Sequence, residues 1–254
     1  MSHPEPSLLE TGHGQKLAYC KSKGGPVTVI FLGGMMSDKQ GAKAVFLEGV
    51  CRNQGWGYIR FDYSGHGSSS GTFREGTIGS WLGDVVSIID HLSEGPLVLV
   101  GSSLGGWLAL LAALVRPGRV KGLVCLAPAV DFTERLLRPS LGQELMKEME
   151  EKGEIQIPSE YGDDPYIFTK ALFDEGRNHL LLDGPINLDL PVGLLHGMKD
   201  TDVPHWISEK IMARLAGGDK RLVLLEGAGH RLSSPAELEQ IKTLLEDVVE
   251  KVAP

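Results

Sequence analysis

A hydroxyl, an imidazole and a carboxylate are the parts that turn serine into a nucleophile, and this chain carries all three in suggestive settings. Ser103 lies in Gly101-Ser102-Ser103-Leu104-Gly105, a G-x-S-x-G pattern. The pattern alone is weak evidence in a chain with 33 glycines, and it recurs at Gly67-Ser68-Ser69-Ser70-Gly71. Context separates the two. The Ser103 copy follows the apolar run PLVLV and opens the apolar run GWLALLAALV. That is the strand–turn–helix setting in which a serine is forced into a strained turn with its Oγ exposed, at the positive end of a helix. Side chains at Gly101 and Gly105 would collide with the crossing strand and helix. The second copy follows FDYSGH, leads into no apolar helix and reads as a surface loop. Ser102 is one residue out of register.

A serine hydroxyl needs a base at neutral pH. Of eight histidines, His230 is the first choice. It follows the last strand in LLEGAGHRLSSP, on a Gly-Ala-Gly loop able to carry an imidazole across the C-terminal edge of a parallel sheet. His196 in LLHG and His66 in YSGHG also stand at strand ends, and both read as residues bracing their own loops. His3, His13, His91, His179 and His205 fall in the N-terminal arm, at helix ends or in an irregular segment. The acid must orient and stabilise the imidazolium. Asp200, in HGMKDTDVP, leads; Asp202, two residues on, and Asp131, after VKGLVCLAP, are its rivals. Asp202 has a second reading as a helix cap near Pro204. The order serine, acid, histidine is the one this strand–turn–helix chemistry uses.

Acyl transfer passes through an oxyanion that two backbone N–H groups should meet. The expected donors are Leu104, the residue after the serine, and Met35, after the strand VTVIFLGG, where Gly33 and Gly34 allow close approach. No metal-ligand cluster and no cofactor fingerprint is visible, so the expected chemistry uses neither.

The elements that would position these groups alternate. Strands are expected at 27–34, 57–62, 96–101, 120–128, 190–197 and 220–227, with helices at 40–54, 77–92 (Thr77 its N-cap), 103–115, 204–216 and 235–252. Unbroken Val/Ile/Leu strands between helices mean an α/β fold: a mostly parallel central sheet with helices on both faces. The rhythm stops after Asp131 and resumes near Leu188. That stretch, with helices expected at 141–152 and near 166–176, reads as a lid insertion at about 131–188 within a single domain, 1–254.

Net charge is −8, which sets nucleic acid and anionic lipid aside as partners. Residues 96–115 are uncharged over the length of a membrane span, but GSSLGG divides them into a strand and a helix, so no span is expected. Cys20, Cys51 and Cys125 are odd in number and form no CxxC pair, which favours a reducing compartment. Residues 1–15 have neither a signal-peptide run nor an Arg-rich face, and a cytoplasmic location is expected.

Taken together, FLGG, RFDYSGHGSS, GSSLGGW, LLHGMKD-x-x-VP and the late GxxH resemble the α/β-hydrolase superfamily over nearly the whole chain. RFDYSGHGSSSG, VVSIIDHL, RPGRV and LLHGMKDTDVPHW look most like the mitochondrial palmitoyl-protein thioesterase branch, from about Lys16 to the last helix. The resemblance implies the α/β-hydrolase fold, a triad at Ser103, Asp200 and His230, and an S-depalmitoylase that also cleaves carboxylic esters, acyl glucuronides among them. The substrate is then a small molecule or an acylated protein. The insertion is the least similar stretch, and its apolar residues, Leu136, Leu137, Phe168 and Phe173 among them, either pack a lid or line an acyl channel. A carboxylesterase of small acyl esters, an acyltransferase and a non-catalytic binding protein on the same fold are the competing readings. The oligomeric state is not readable.

Overall fold

A computed structural model describes residues 6–158 and 165–252; His3, Pro4 and Glu5 lie outside the described residues. In chain order its strands are β1 (Ser7–Glu10), β2 (Lys16–Ser22), β3 (Thr28–Leu32), β4 (Gly57–Phe61), β5 (Leu97–Ser102), β6 (Val120–Leu126), β7 (Glu154–Ile157), β8 (Tyr166–Thr169), β9 (Val192–Gly197) and β10 (Lys220–Leu225). The helices are α1 (Ala42–Gln54), α2 (Ile78–Leu92), α3 (Leu104–Val115), the single turn α4 (Arg138–Ser140), α5 (Gln143–Lys152), α6 (Lys170–Gly176), α7 (Trp206–Arg214) and α8 (Pro235–Val252).

Eight strands form one sheet in the order β1-β2-β4-β3-β5-β6-β9-β10. Only β2 pairs antiparallel, with β1 and β4; the remaining pairs are parallel. β4, β5 and β9 are buried at every residue, as strands covered on both faces must be. Side chains alternate between two cores. Ile30, Leu32, Leu97 and Leu99 face α2, α3 and α7, while Val29, Phe31, Val98 and Val100 face α1 and α8. The apolar run at 96–115 is β5 followed by α3, and among the described residues no helix is long and apolar enough to cross a membrane.

The strand order reverses between β3 and β5, because the chain leaves β3 for β4 on one side and returns through α2 to β5 on the other. Clefts form beyond the carboxyl ends of strands at such a switch point. The loops after β3 and β5, carrying Met35 and Ser103, meet at this one.

Between β6 and β9 the alternation breaks. A wide helical turn, Thr133–Leu137, runs into α4 and α5, and β7 and β8 form a separate antiparallel hairpin. The helix expected near 166–176 is thus corrected. Residues 166–169, YIFT, are aromatic and β-branched and pair with β7. Only then does the Thr169 hydroxyl accept the Leu172 N–H, 3.2 Å away, and start α6. Asp131 ties the two ends of this stretch together. Fully buried and at φ +57°, it accepts the N–H groups of Leu181 and Leu182 at 2.9 Å and the guanidinium of Arg135 at 3.2 Å. Its carboxylate is therefore committed to the segment and is not presented to a histidine.

Candidate active site

The turn at Ser103 is built by glycines. A methyl on Gly101 would sit 2.2 Å from the Gly105 carbonyl oxygen, and one on Gly105 would sit 2.2 Å from that of Leu32. Neither backbone atom can yield, so β3, β5 and α3 come together only with hydrogen at both positions. Ser103 itself has φ +53° and ψ −117°, a conformation disfavoured for residues with a Cβ. Three backbone hydrogen bonds hold it there. Its N–H donates to Leu126 O at 2.9 Å, and its carbonyl accepts from Gly106 at 2.9 Å and Ala129 at 3.0 Å.

The strain points Oγ out of the sheet. Ser103 Oγ lies 3.0 Å from His230 Nε2, and His230 Nδ1 lies 2.7 Å from Asp200 Oδ2. The three come from loops after β5, β9 and β10. Asp200 is held from below: the Asp202 and Val203 N–H groups donate to its Oδ1 at 3.0 and 2.8 Å. Burial alone would raise the Asp200 pKa, but hydrogen bonds from His196 and His230, with the nearby His230 charge, hold it well below the usual carboxylate range. It is therefore an ionised acceptor at neutral pH.

Met35, Gly34, Ser103, Leu104 and His230 line one cavity of about 830 Å³. Leu104 is the first residue of α3, so its N–H belongs to the first turn, where no carbonyl of the helix can reach it. The Gly34 backbone runs against the serine: a Cβ placed there would be 3.5 Å from Ser103 Cβ. The Gly33–Gln40 loop is braced from beneath. Tyr63 OH donates to Gly33 O at 3.1 Å and Ser37 Oγ to Gly34 O at 2.7 Å. Asp62 accepts the Lys39 N–H at 2.6 Å, the Lys39 ammonium at 2.7 Å and the Ser68 N–H at 2.8 Å. Both charges of that pair are buried.

The other candidates are placed elsewhere. His66 is buried among Tyr63, Phe73 and Trp81, donates from Nδ1 to Ser64 O at 3.2 Å, and is disfavoured as a cation by burial. His91, His179 and His205 bond to Ser87, Glu175 and Glu209 on their own helical turns. Asp202 does not cap α7: that helix starts at Trp206, and the Asp202 N–H instead supports Asp200. The Gly67–Gly71 loop is more than a surface loop. Ser69 Oγ accepts the Ala18 N–H and Ser70 Oγ the Lys16 N–H, each at 2.8 Å, which stitches it to β2.

Two contributors escaped the sequence reading. His196 is wholly buried on β9, with Nε2 3.2 Å from Asp200 Oδ2. Asp62 was visible only as part of the string RFDYSGHG, with nothing to link it to the loop after β3. Asp200, Asp202 and His230 place donor atoms within 4.8 Å of one another, the only such trio among the described residues. Both oxygens of Asp200 already accept two hydrogen bonds each, so a cation would have to displace donors the chain itself supplies. The thiols of Cys20, Cys51 and Cys125 are buried, and burial pushes Cys125 up to about 12, which leaves it unreactive.

A strained, half-buried hydroxyl at the cavity, an imidazole in contact with it and a carboxylate behind the imidazole are the parts needed for nucleophilic attack on an acyl carbon. The sequence profile of the Alpha/beta hydrolase family matches residues 46–241. The mitochondrial palmitoyl-protein thioesterase ABHD10 of Rattus norvegicus is 40% identical over 97% of this chain and 83% of its own length. The Homo sapiens protein of the same name is 41% identical over 93% and 78%. The structure of mouse alpha/beta hydrolase domain-containing protein 10 matches with TM-score 0.90 and 39% identity, over 98% of this chain and 100% of its own. A structure from Agrobacterium vitis S4 matches with TM-score 0.93 and 37% identity, over 96% and 98%. On this evidence the chain belongs to the α/β-hydrolase family and is a hydrolase.

Proposed function

We propose that this hydrolase cleaves acyl thioesters and esters through an acyl-enzyme on Ser103. The reading is carried by one observation, the unbroken contact from Ser103 Oγ through His230 to Asp200 at 3.0 and 2.7 Å. His230 takes the Ser103 proton as Oγ attacks the acyl carbon. The N–H groups of Met35 and Leu104 receive the oxyanion. His230 then gives its proton to the departing thiol or alcohol, and water, activated by the same imidazole, releases the acid. The charge that develops on His230 is balanced by Asp200.

The substrate we favour is a fatty acyl thioester, with palmitoyl-protein first and acyl glucuronides as a further ester class. Two things support it. The similar rat and human proteins bear the name palmitoyl-protein thioesterase. The cavity beside Ser103 is walled by Phe132, Leu136, Leu137, Ile157, Tyr166 and Phe168, an apolar surface suited to an alkyl chain. All six come from the 131–188 segment, which we read as the lid of a single α/β-hydrolase domain. A reducing compartment, the cytoplasm first, fits three buried thiols.

The test is intact-mass detection of the acyl adduct after brief exposure to acyl thioesters and oxygen esters of graded length. The reading expects an adduct that strengthens from C4 to C16 and is absent in Ser103→Ala. An adduct that peaks at C2–C4 makes the chain a carboxylesterase of small esters. Product formed only with an added alcohol or amine makes it an acyltransferase. A fluorophosphonate label that survives in Ser103→Ala refutes the nucleophile.

A further inference from the structure

We propose that His196 is a positioning residue that tempers the basicity of the Asp200–His230 pair by donating a hydrogen bond to the carboxylate oxygen that His230 also uses. The inference rests on the triad reading above and adds a fourth member to it.

The proton's place follows from the acceptors. His196 Nε2 faces two oxygens, Val203 O at 2.8 Å and Asp200 Oδ2 at 3.2 Å. A carbonyl and a carboxylate can only accept, so Nε2 must carry hydrogen and share it between them. Nδ1, on the far side of the ring, is 2.7 Å from Ser208 Oγ, a hydroxyl that donates to it. Ring and hydroxyl are both wholly buried, so solvent supplies neither partner. Ser208 on α7 thus fixes the tautomer, and the tautomer fixes the donor. Val203 closes the ring of contacts, because its own N–H donates to Asp200 Oδ1 at 2.8 Å.

Asp200 Oδ2 therefore divides its electron density between two imidazoles. A donor on a carboxylate lowers its proton affinity. It also weakens its pull on the proton of the other donor, so His196 keeps the His230 imidazolium from becoming too stable to give its proton to the leaving group. The charged and titratable groups around the pair are His196 from β9, Asp202 beside Asp200, and Arg231 beside His230. Lys43 from α1 bonds to the Arg231 carbonyl and feels the charges of Glu237 and Arg231. The side-chain contacts to Asp200 described above come from His230, which belongs to the triad, and from His196.

The experiment is the pH dependence of kcat/KM for a chromogenic ester, run on wild type, His196→Leu, His196→Gln and Ser103→Ala. Leucine removes the donor at similar volume; the glutamine amide places an N–H near the position of Nε2. The acid limb should move up by about half to one pH unit in His196→Leu, with kcat lowered and KM little changed, and should return toward wild type in His196→Gln. A folded His196→Leu with an unmoved limb overturns the proposal. Activity that survives in Ser103→Ala instead overturns the triad reading, so the two failures are distinguishable. If His196→Leu does not fold, wild-type protein labelled with 15N-histidine decides: a protonated Nε2 and a bare Nδ1 at residue 196 support the proposal, and a bare Nε2 ends it.

Discussion

Asp200 Oδ2 and His230 Nδ1 lie 2.7 Å apart, while the other oxygen of the same carboxylate is anchored by two backbone N–H groups of its own loop. The acid is thus fixed before the histidine arrives. Asp200→Asn should keep the geometry but present an amide that cannot balance the imidazolium, lowering kcat by about 10³–10⁴-fold. The stability effect has a definite sign. A carboxyl held below its ordinary value stabilises the fold fully above the unfolded-state pKa of about 4, and loses that contribution as pH falls toward the depressed native value. Urea titrations at pH 7 and pH 3 should therefore show a smaller loss of stability on acidification in Asp200→Asn than in wild type.

Gly105→Ala tests the elbow. Its new methyl would meet the Leu32 carbonyl, which belongs to a central strand. We expect a cost of about 3 kcal/mol in chemical denaturation, the upper range for an overpacked core, and a fall in kcat as the loop after β3 is pushed from Ser103. Gly49→Ala, which meets nothing within 4 Å, is the matched control and should be neutral or stabilising.

Asp62 and Lys39 form a buried pair whose members should respond unequally. Asp62→Ala strands a buried ammonium and two backbone N–H groups, and should cost about 3–5 kcal/mol. Lys39→Met leaves a carboxylate that still accepts both N–H groups, and should cost less. Chemical denaturation gives the order, and loss of kcat in the folded Lys39→Met protein reports how far the Met35 loop depends on this brace.

Asp131 clamps the ends of the segment that walls the cavity. Asp131→Ala loses three hydrogen bonds and leaves alanine at positive φ, an expected loss of about 2–4 kcal/mol. Asp131→Asn, which tolerates that backbone, should lose less. Hydrolysis of long-chain esters should suffer more than that of short ones, and limited proteolysis should cut within 131–188 earlier than in wild type.

What the sequence disclosed follows from the range of the interactions involved. β3 to β6, β9 and the helices between them are marked by local apolar runs and by Gly or Thr at their ends; the Thr77 cap, whose hydroxyl is 3.1 Å from the Ser80 N–H, is a local fact. β1 and β2 are not legible because SLLE and KLAYCKS have no strong alternation; β1 has only β2 as a partner, and β2 depends on β4, about forty residues away. The first turn of the helix expected near 166 fell to a hairpin partner across the 159–164 stretch. Ser103 is legible because its constraint, two glycines and a serine, sits within five residues. The sequence marks His196 as serving its own loop, and it does bond to Val203 O, yet its contact with Asp200 depends on how the chain turns after β9.

The chain places its parts in an order with a consequence for biosynthesis. Ser103 and its supporting strands lie in the first half, whereas Asp200 and His230 follow the last two strands. Chains emerge and fold from the N-terminus, so the hydroxyl can take up its strained turn while the groups that would activate it are still untranslated. Until Asp200 and His230 have both been made, the Ser103 hydroxyl lacks the imidazole it touches here and the carboxylate behind that imidazole.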